Sequence, residues 1–189
     1  MINKNIRFFD IIVSILILII FFPLLIIISV LIMLCDGGPI FYKQLRVGYM
    51  GKKFLIYKFK TMRNIKIKNE NLRITTLGKI LRKSSLDELP QFINVLIKDM
   101  SIVGPRPLPP KILEKINRNI KFKRQKILPG ITGSAQIKYN GKKRKLSEKI
   151  ILDLKYVNNY NLLHYFKILF KTPNVILVRI KKNKSSIIK

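Results

Sequence analysis

A chain of 189 residues that is 48% hydrophobic carries enough apolar material for one ordinary domain and an appendage, which excludes disorder throughout. Its 38 lysines and arginines against nine carboxylates give a net charge of +29, a balance that attracts polyanions: nucleic acid, an anionic membrane face or phosphorylated substrates. With Cys35 and His164 alone of their kinds, an intramolecular disulfide and a zinc site are excluded, and any metal is expected to be a hard ion held by carboxylate and phosphate oxygens.

From Ile11 to Leu34 the chain reads IIVSILILIIFFPLLIIISVLIML, an uncharged run long enough to cross a bilayer as a helix. A cleaved signal peptide is disfavoured by the length of the run and by the large residues before Cys35. Lys4 and Arg7 precede the run and a basic body follows it, so the positive-inside rule assigns both flanks to the cytoplasm. Pro23, in the middle, removes a backbone donor and predicts a bend. Two arrangements are compatible with these features: a hinged segment that enters and leaves by one face, and a kinked helix that spans the membrane.

Beyond the turn-forming CDGGP, the segments IFYKQLRVG and KKFLIYKFKTM flank YMG and predict a β-hairpin. An exposed polar loop is expected around Lys66 to Leu72, then a short basic helix starting at Thr75 or Thr76. Leu89, Phe92, Ile93, Leu96, Ile97 and Met100 fall at helical spacing and predict an apolar, core-facing stripe. The Gly- and Pro-dense MSIVGPRPLPP reads as a rigid loop, and LPGITGSAQI as a turn entering a short strand. In YNLLHYFKILFKTPNVILVRIKK, apolar residues interleave with lysine, the pattern of a helix lying on a bilayer or packed on the body.

Two of the nine carboxylates, Asp87 and Glu88, stand side by side in SSLDELPQF. Ser85 and Glu88 match a capping box, which would make the pair a helix start and nothing more. Pro90 weighs for the alternative with Asp87 as the cap, because proline then occupies a position whose N–H has no partner in the helix. A carboxylate at a helix start, with Arg82, Lys83 and Arg106 in reach, also suits phosphate chemistry: amides and cations hold the phosphate, a Mg2+ ion bridges, and an aspartate can attack phosphorus.

The segments IRFFD, GPIFYKQLRVGYMGKKFLIYKFKTM, LRKSSLDELPQFINVLIKDMSIVGPRPL, PGITGSAQI and LDLKYVNNYNLL together resemble the small monotopic phosphoglycosyl transferases of bacteria, the bacterial sugar transferases. The resemblance covers almost the whole chain. It implies an α+β fold, with a re-entrant membrane helix over residues 1–36 broken at Pro23. Residues 37–189 would form a mostly helical domain with a short β-hairpin and interfacial amphipathic helices, on the cytoplasmic face of the bacterial inner membrane. The implied reaction moves a sugar 1-phosphate from a UDP-sugar to undecaprenyl phosphate, with release of UMP, as the first membrane step of a surface glycan.

By the same resemblance Asp87 is the nucleophile and the Mg2+ ligand, and Glu88 handles a proton or positions the site. Pro105, Arg106, Pro107 and Arg82 contribute to binding the nucleotide and its phosphates. The chain departs from the family where Ser134 replaces a usual Trp, and where YNGKKRK replaces a Gly-Arg-Asn stretch; Lys142, Lys143 or Arg144 is expected to supply the missing charge. A family Asp after YVNN appears here as Tyr165. No nucleic-acid partner is expected. The rival readings are a membrane-tethered nucleic-acid-binding protein, which the charge suggests, and a non-catalytic membrane scaffold in which Ser85 and Glu88 only cap a helix.

Overall fold

The computed structural model describes residues 2–63, 70–140 and 144–184; Lys142 and Lys143 lie outside the described residues, as does most of the loop expected around Lys66. The chain begins with α1 (Lys4–Ile20), capped by the Asn3 side chain, which accepts from the amides of Asn5 and Ile6. α2 (Phe22–Asp36) follows after a single residue, Phe21, at a bend of 61°. Pro23 sits in the first turn of α2, so the break falls two residues before it. At that position its missing donor sacrifices no hydrogen bond within α2, while its ring prevents α1 from continuing through it. Among the described residues no single helix is long and apolar enough to cross a membrane, although the bent pair together has the length and composition.

α1 belongs to the body as much as to the apolar segment. Ile6, Asp10 and Ser14, four residues apart and so on one face, are all buried. Asp10 accepts from the Ile102 amide at 2.9 Å and from the Tyr165 hydroxyl at 2.8 Å, while Arg7 donates to the carbonyl of Leu96 at 3.0 Å. Tyr165 therefore has a partner here: its hydroxyl donates to one oxygen of a carboxylate buried just ahead of the apolar run, whose other oxygen has no donor among the described residues. Tyr165→Phe removes that donor and leaves the carboxylate short of a hydrogen bond, a loss expected to cost about 1–3 kcal/mol, which chemical denaturation in detergent will measure.

The hairpin forms as its residues predict. β1 (Phe41–Val47) pairs antiparallel with β2 (Lys53–Phe59) through a 3-10 turn at Tyr49–Gly51, where Met50 and Gly51 have positive φ. One turn of helix, α3 (Glu70–Arg73), precedes α4 (Thr76–Ser84). The Thr75 hydroxyl caps α4 by accepting from the Gly78 amide at 2.9 Å. Gly78 is where α4 rests on the end of the hairpin, since a Cβ there would overlap the Thr61 carbonyl oxygen.

The helix expected after the carboxylate pair is shorter than its apolar spacing suggested: α5 covers only Gln91–Leu96. Its buried face carries Phe92 and Val95 with the polar Gln91 and Asn94, while Ile93 and Ile97 are exposed, so the expected stripe is core in part only. Asn94 explains the rotation. Its side chain accepts from the Tyr57 amide at 3.0 Å and donates to the Leu55 carbonyl at 2.8 Å, serving β2 as a neighbouring strand would.

Inside the segment expected to be a loop lies β3 (Ser101–Val103), followed by α6 (Pro110–Glu114) and α7 (Arg118–Arg124). β4 (Gly130–Thr132) pairs parallel with β3, Ser101 opposite Gly130 and Val103 opposite Thr132. The backbones approach so closely that a Cβ on Gly130 would collide with the Gly104 amide. α8 (Ser134–Tyr139), α9 (Leu146–Asn158) and α10 (Leu162–Lys184) complete an α+β fold that is mostly helical. α10 turns Tyr165 and Ile168 into the core shared with Phe54, Val95 and Ile102, and leaves Leu163, Phe170 and Leu177 exposed. It is a packed helix with a second, bare apolar side.

Candidate active site

The carboxylate pair sits on a turn that neither capping scheme anticipated. α4 stops because Ser85 takes up a left-handed conformation, φ 60°, and reverses the chain. The Ser85 carbonyl then accepts from the Glu88 amide at 3.1 Å, closing one 3-10 turn over Leu86–Glu88. Ser85 precedes that turn but its side chain caps nothing, its hydroxyl instead accepting from Arg179 of α10 at 3.1 Å. Asp87 is no N-cap either, being the middle of the turn; Pro90 stands at the entry to α5, where no internal bond needs its missing donor.

Side by side, the two carboxyl groups have opposite environments. Glu88 Oε1 accepts from Lys58 Nζ at 2.5 Å and from Arg106 Nη2 at 2.6 Å. Burial alone would push Glu88 up, but the charges of Arg106 and Lys58 and their hydrogen bonds outweigh it and hold the group at about 2. Asp87 is only 9% exposed, and no hydrogen bond among the described residues ends on its carboxylate. Desolvation by burial, and next the charge of Glu88, push it up to about 6 against the opposing pull of Lys58, Arg82 and Arg106. Arg82 is aimed by a hydrogen bond from its Nε to Thr61 Oγ1 at 2.8 Å.

These groups face a cavity of about 1460 Å³. Lys58, Arg82 and Arg106 give it a cationic wall around Asp87 and Glu88, and Ile17, Phe21, Leu169 and Ile176 from α1, the break and α10 give it an apolar one. Such a space can take an anionic head and an apolar tail at once. Of the residues read from the sequence, Asp87, Glu88, Arg82 and Arg106 converge here; Pro105 and Pro107 shape the loop that carries Arg106. Arg144 lies over the Tyr139 ring at 5.6 Å, and it is Tyr139 that lines the cavity.

Sequence reasoning missed Lys58, although a signal was present: it continues the Phe54, Ile56 alternation of β2 and so places a lysine on a face that is otherwise buried. Arg179 and the buried pair Arg124–Asp153 had no comparable local signal. For a metal, no group of three or more His, Cys, Asp or Glu occurs among the described residues. Among the described carboxylates that line the cavity, Asp87 alone is not committed to an ion pair. That fits Mg2+ in the manner in which it is held by one or two carboxylates, with substrate phosphates and water completing its shell.

Comparison with known proteins places this geometry in context. The profile of the family described as bacterial sugar transferase matches residues 3–179. The UDP-glucose:undecaprenyl-phosphate glucose-1-phosphate transferase of Klebsiella pneumoniae is 39% identical over 179 residues, covering 88% of this chain and 38% of that protein. An uncharacterized sugar transferase, EpsL, of Bacillus subtilis is 43% identical over 148 residues, covering 75% of this chain and 72% of its own length. The UDP-N-acetylgalactosamine-undecaprenyl-phosphate N-acetylgalactosaminephosphotransferase of Aeromonas hydrophila is 37% identical over 182 residues, 90% of this chain and 43% of its own. The chain thus spans about two fifths of the length of the two relatives named for a specific reaction.

Proposed function

Because the chain belongs to the bacterial sugar transferase family, we propose that it transfers a sugar 1-phosphate from a UDP-sugar to undecaprenyl phosphate, releasing UMP and starting a surface glycan. The observation that carries this reading is the carboxylate pair with split environments, set where a cationic wall meets an apolar one. In the first step an Asp87 oxygen attacks the phosphorus that bears the sugar, and the bond from that phosphorus to the bridging oxygen of UMP breaks, UMP leaving with the electron pair. In the second step an oxygen of the lipid phosphate attacks the same phosphorus and expels the Asp87 carboxylate, leaving a diphosphate-linked sugar lipid.

Glu88 belongs to positioning in this scheme. A carboxylate held at about 2 carries no proton near neutrality; ionised, it anchors Lys58 and Arg106 beside the phosphates, whose charge they offset. Arg82, in the last turn of α4, adds a third cation to the cavity wall. Mg2+ held by Asp87 would draw charge off the diphosphate. Purified protein in detergent, given Mg2+, undecaprenyl phosphate and a panel of UDP-sugars, is expected to release UMP through many turnovers only when the lipid is present at substrate levels, and at most about one equivalent per enzyme without it; chelation should stop release and added Mg2+ restore it. Absence of release with every sugar would sink the reading.

For the membrane, we place residues 1–36 as a re-entrant element and residues 37–189 as the body on the cytoplasmic face of the bacterial inner membrane. The 61° bend, the basic residues on both sides of the apolar run and the bare apolar surfaces of α2 and α10 support this. With Cys35 replaced, single cysteines at Asn3 and at Lys52 are expected to be labelled only from the cytoplasm. Labelling of the Asn3 position from outside would instead require a spanning helix.

A further inference from the structure

The loop Gly104–Leu108 brings Arg106 to Glu88, yet two of its members, Pro105 and Pro107, have no amide to donate, so the loop is held chiefly through its carbonyls. The carbonyls of Pro105, Arg106, Pro107 and Leu108 each have a donor, that of Leu108 being the Val47 amide at 3.1 Å. Pro105 O accepts from the Gly130 amide at 3.0 Å, Pro107 O from Arg46 Nη1 at 3.1 Å, and Arg106 O, on the residue that matters, from Arg124 Nη2. Arg124 comes from α7 and is oriented by Asp153 of α9, whose Oδ2 accepts from its Nε at 2.8 Å. Arg124 is 5% exposed and Asp153 3%: the pair borders the cavity but is spent on its own partners, with little surface left to grip a substrate as the more exposed Arg106 can.

A buried ion pair is a poor source of stability, because desolvating two charges offsets most of their attraction; apolar residues of similar volume often do as well. Stability alone therefore gives weak reason for Arg124 and Asp153. We propose that they are positioning residues of the transfer reaction: the planar guanidinium spans the Asp153 carboxylate and the Arg106 carbonyl, and so fixes the backbone from which the Arg106 side chain reaches Glu88. Lysine, a single point of donation, cannot hold both acceptors in one plane.

The proposal rests on the transferase reading for its kinetic readout but not for its structural one. The decisive variant is the full-length double substitution Arg124→Met with Asp153→Leu, which removes the loop's donor without stranding a buried charge. It is expected to fold, with hydrogen exchange at the Gly104 and Gly130 amides, which tie the loop to β4, faster by about tenfold or more while α4 and α5 exchange as before. Its kcat for UMP release should fall about tenfold or more with KM for the UDP-sugar little changed, and the same change in an Arg106→Ala background should cost nothing further.

A folded double variant with unaltered exchange at the Gly104 and Gly130 amides overturns the proposal, as does a kinetic loss that multiplies with that of Arg106→Ala. If the double variant does not fold, Arg124→Lys, which keeps the charge pair and loses the fork, is read by the same measurements. If the wild-type protein releases no UMP with any sugar, the transferase reading fails separately, and exchange at those two amides alone decides whether Arg124 and Asp153 hold the loop.

Discussion

Asp87→Asn is expected to abolish UMP release, a loss of at least about a thousandfold, while making the protein more stable above neutrality. The two effects have one cause. Asp87 is buried beside an ionised Glu88, and its carboxyl is pushed from 3.8 to about 6, so in the folded state its charge is held at a cost that the unfolded chain does not bear. The stability it contributes is complete below about pH 4 and is lost as pH rises through about 6. Asparagine carries no such charge. At pH 8, in the absence of Mg2+ and substrate, the variant should be more stable by on the order of 2–3 kcal/mol, the difference vanishing below about pH 4. Denaturation at several pH values beside a UMP assay reads both. Retained turnover would remove Asp87 from the nucleophile's role; an inactive variant that was also less stable at pH 8 would mean its carboxylate is satisfied in a way the geometry does not show.

Glu88→Gln is expected to act with the opposite sign on stability. Glu88 is held at about 2 by the charges of Arg106 and Lys58, so the stability it contributes is present above about pH 4.5 and lost as pH falls through about 2. Glutamine leaves two cations facing each other with no anion between them. Lys58 is the worse placed, since its side chain is only 15% exposed against 44% for Arg106. Near pH 7 the loss should be about 2–4 kcal/mol, with kcat reduced roughly a hundredfold as Arg106 swings away from the phosphates. The same substitution removes the neighbouring charge that raises Asp87, so the instability that the wild-type protein develops between about pH 4 and 6 should shrink. A Glu88→Gln variant of unaltered stability and turnover would reduce the Lys58–Glu88–Arg106 cluster to a surface ion pair. One that stayed stable but lost turnover with a new dependence on pH would return Glu88 to proton handling.

Much of this site was legible in the sequence, and what was legible has a common character. The hairpin followed from β-branched and aromatic residues about a turn, the start of α4 from Thr75, and the break near Pro23 from a missing donor; each depends on residues within a few positions of one another. The carboxylate pair and Arg106 were found through short motifs. The capping schemes failed for a local reason seen only in three dimensions: a non-glycine residue, Ser85, adopts positive φ because Arg179, 94 positions later, holds its hydroxyl and the 3-10 turn holds its carbonyl. α5 misled in the same way, since its apolar spacing implied one face and Asn94, by serving the edge of β2, selected another.

By itself the sequence determined the fold class, the apolar segment with its break, the family and the adjacent pair of carboxylates on which the proposed chemistry rests. These reside in composition, periodicity and motif, all properties of neighbouring residues. Tertiary structure alone decided that Glu88 is ionised and immobilised while Asp87 is pushed up, because that difference depends on Lys58 and Arg106, 30 and 18 positions away, and on how much water the packed helices exclude. It also decided that Asp10 is buried against Tyr165 and that Arg124 holds the loop of Arg106. Hydrogen bonds and charge act over a few ångströms of space whatever the separation along the chain, and a linear text does not record that proximity.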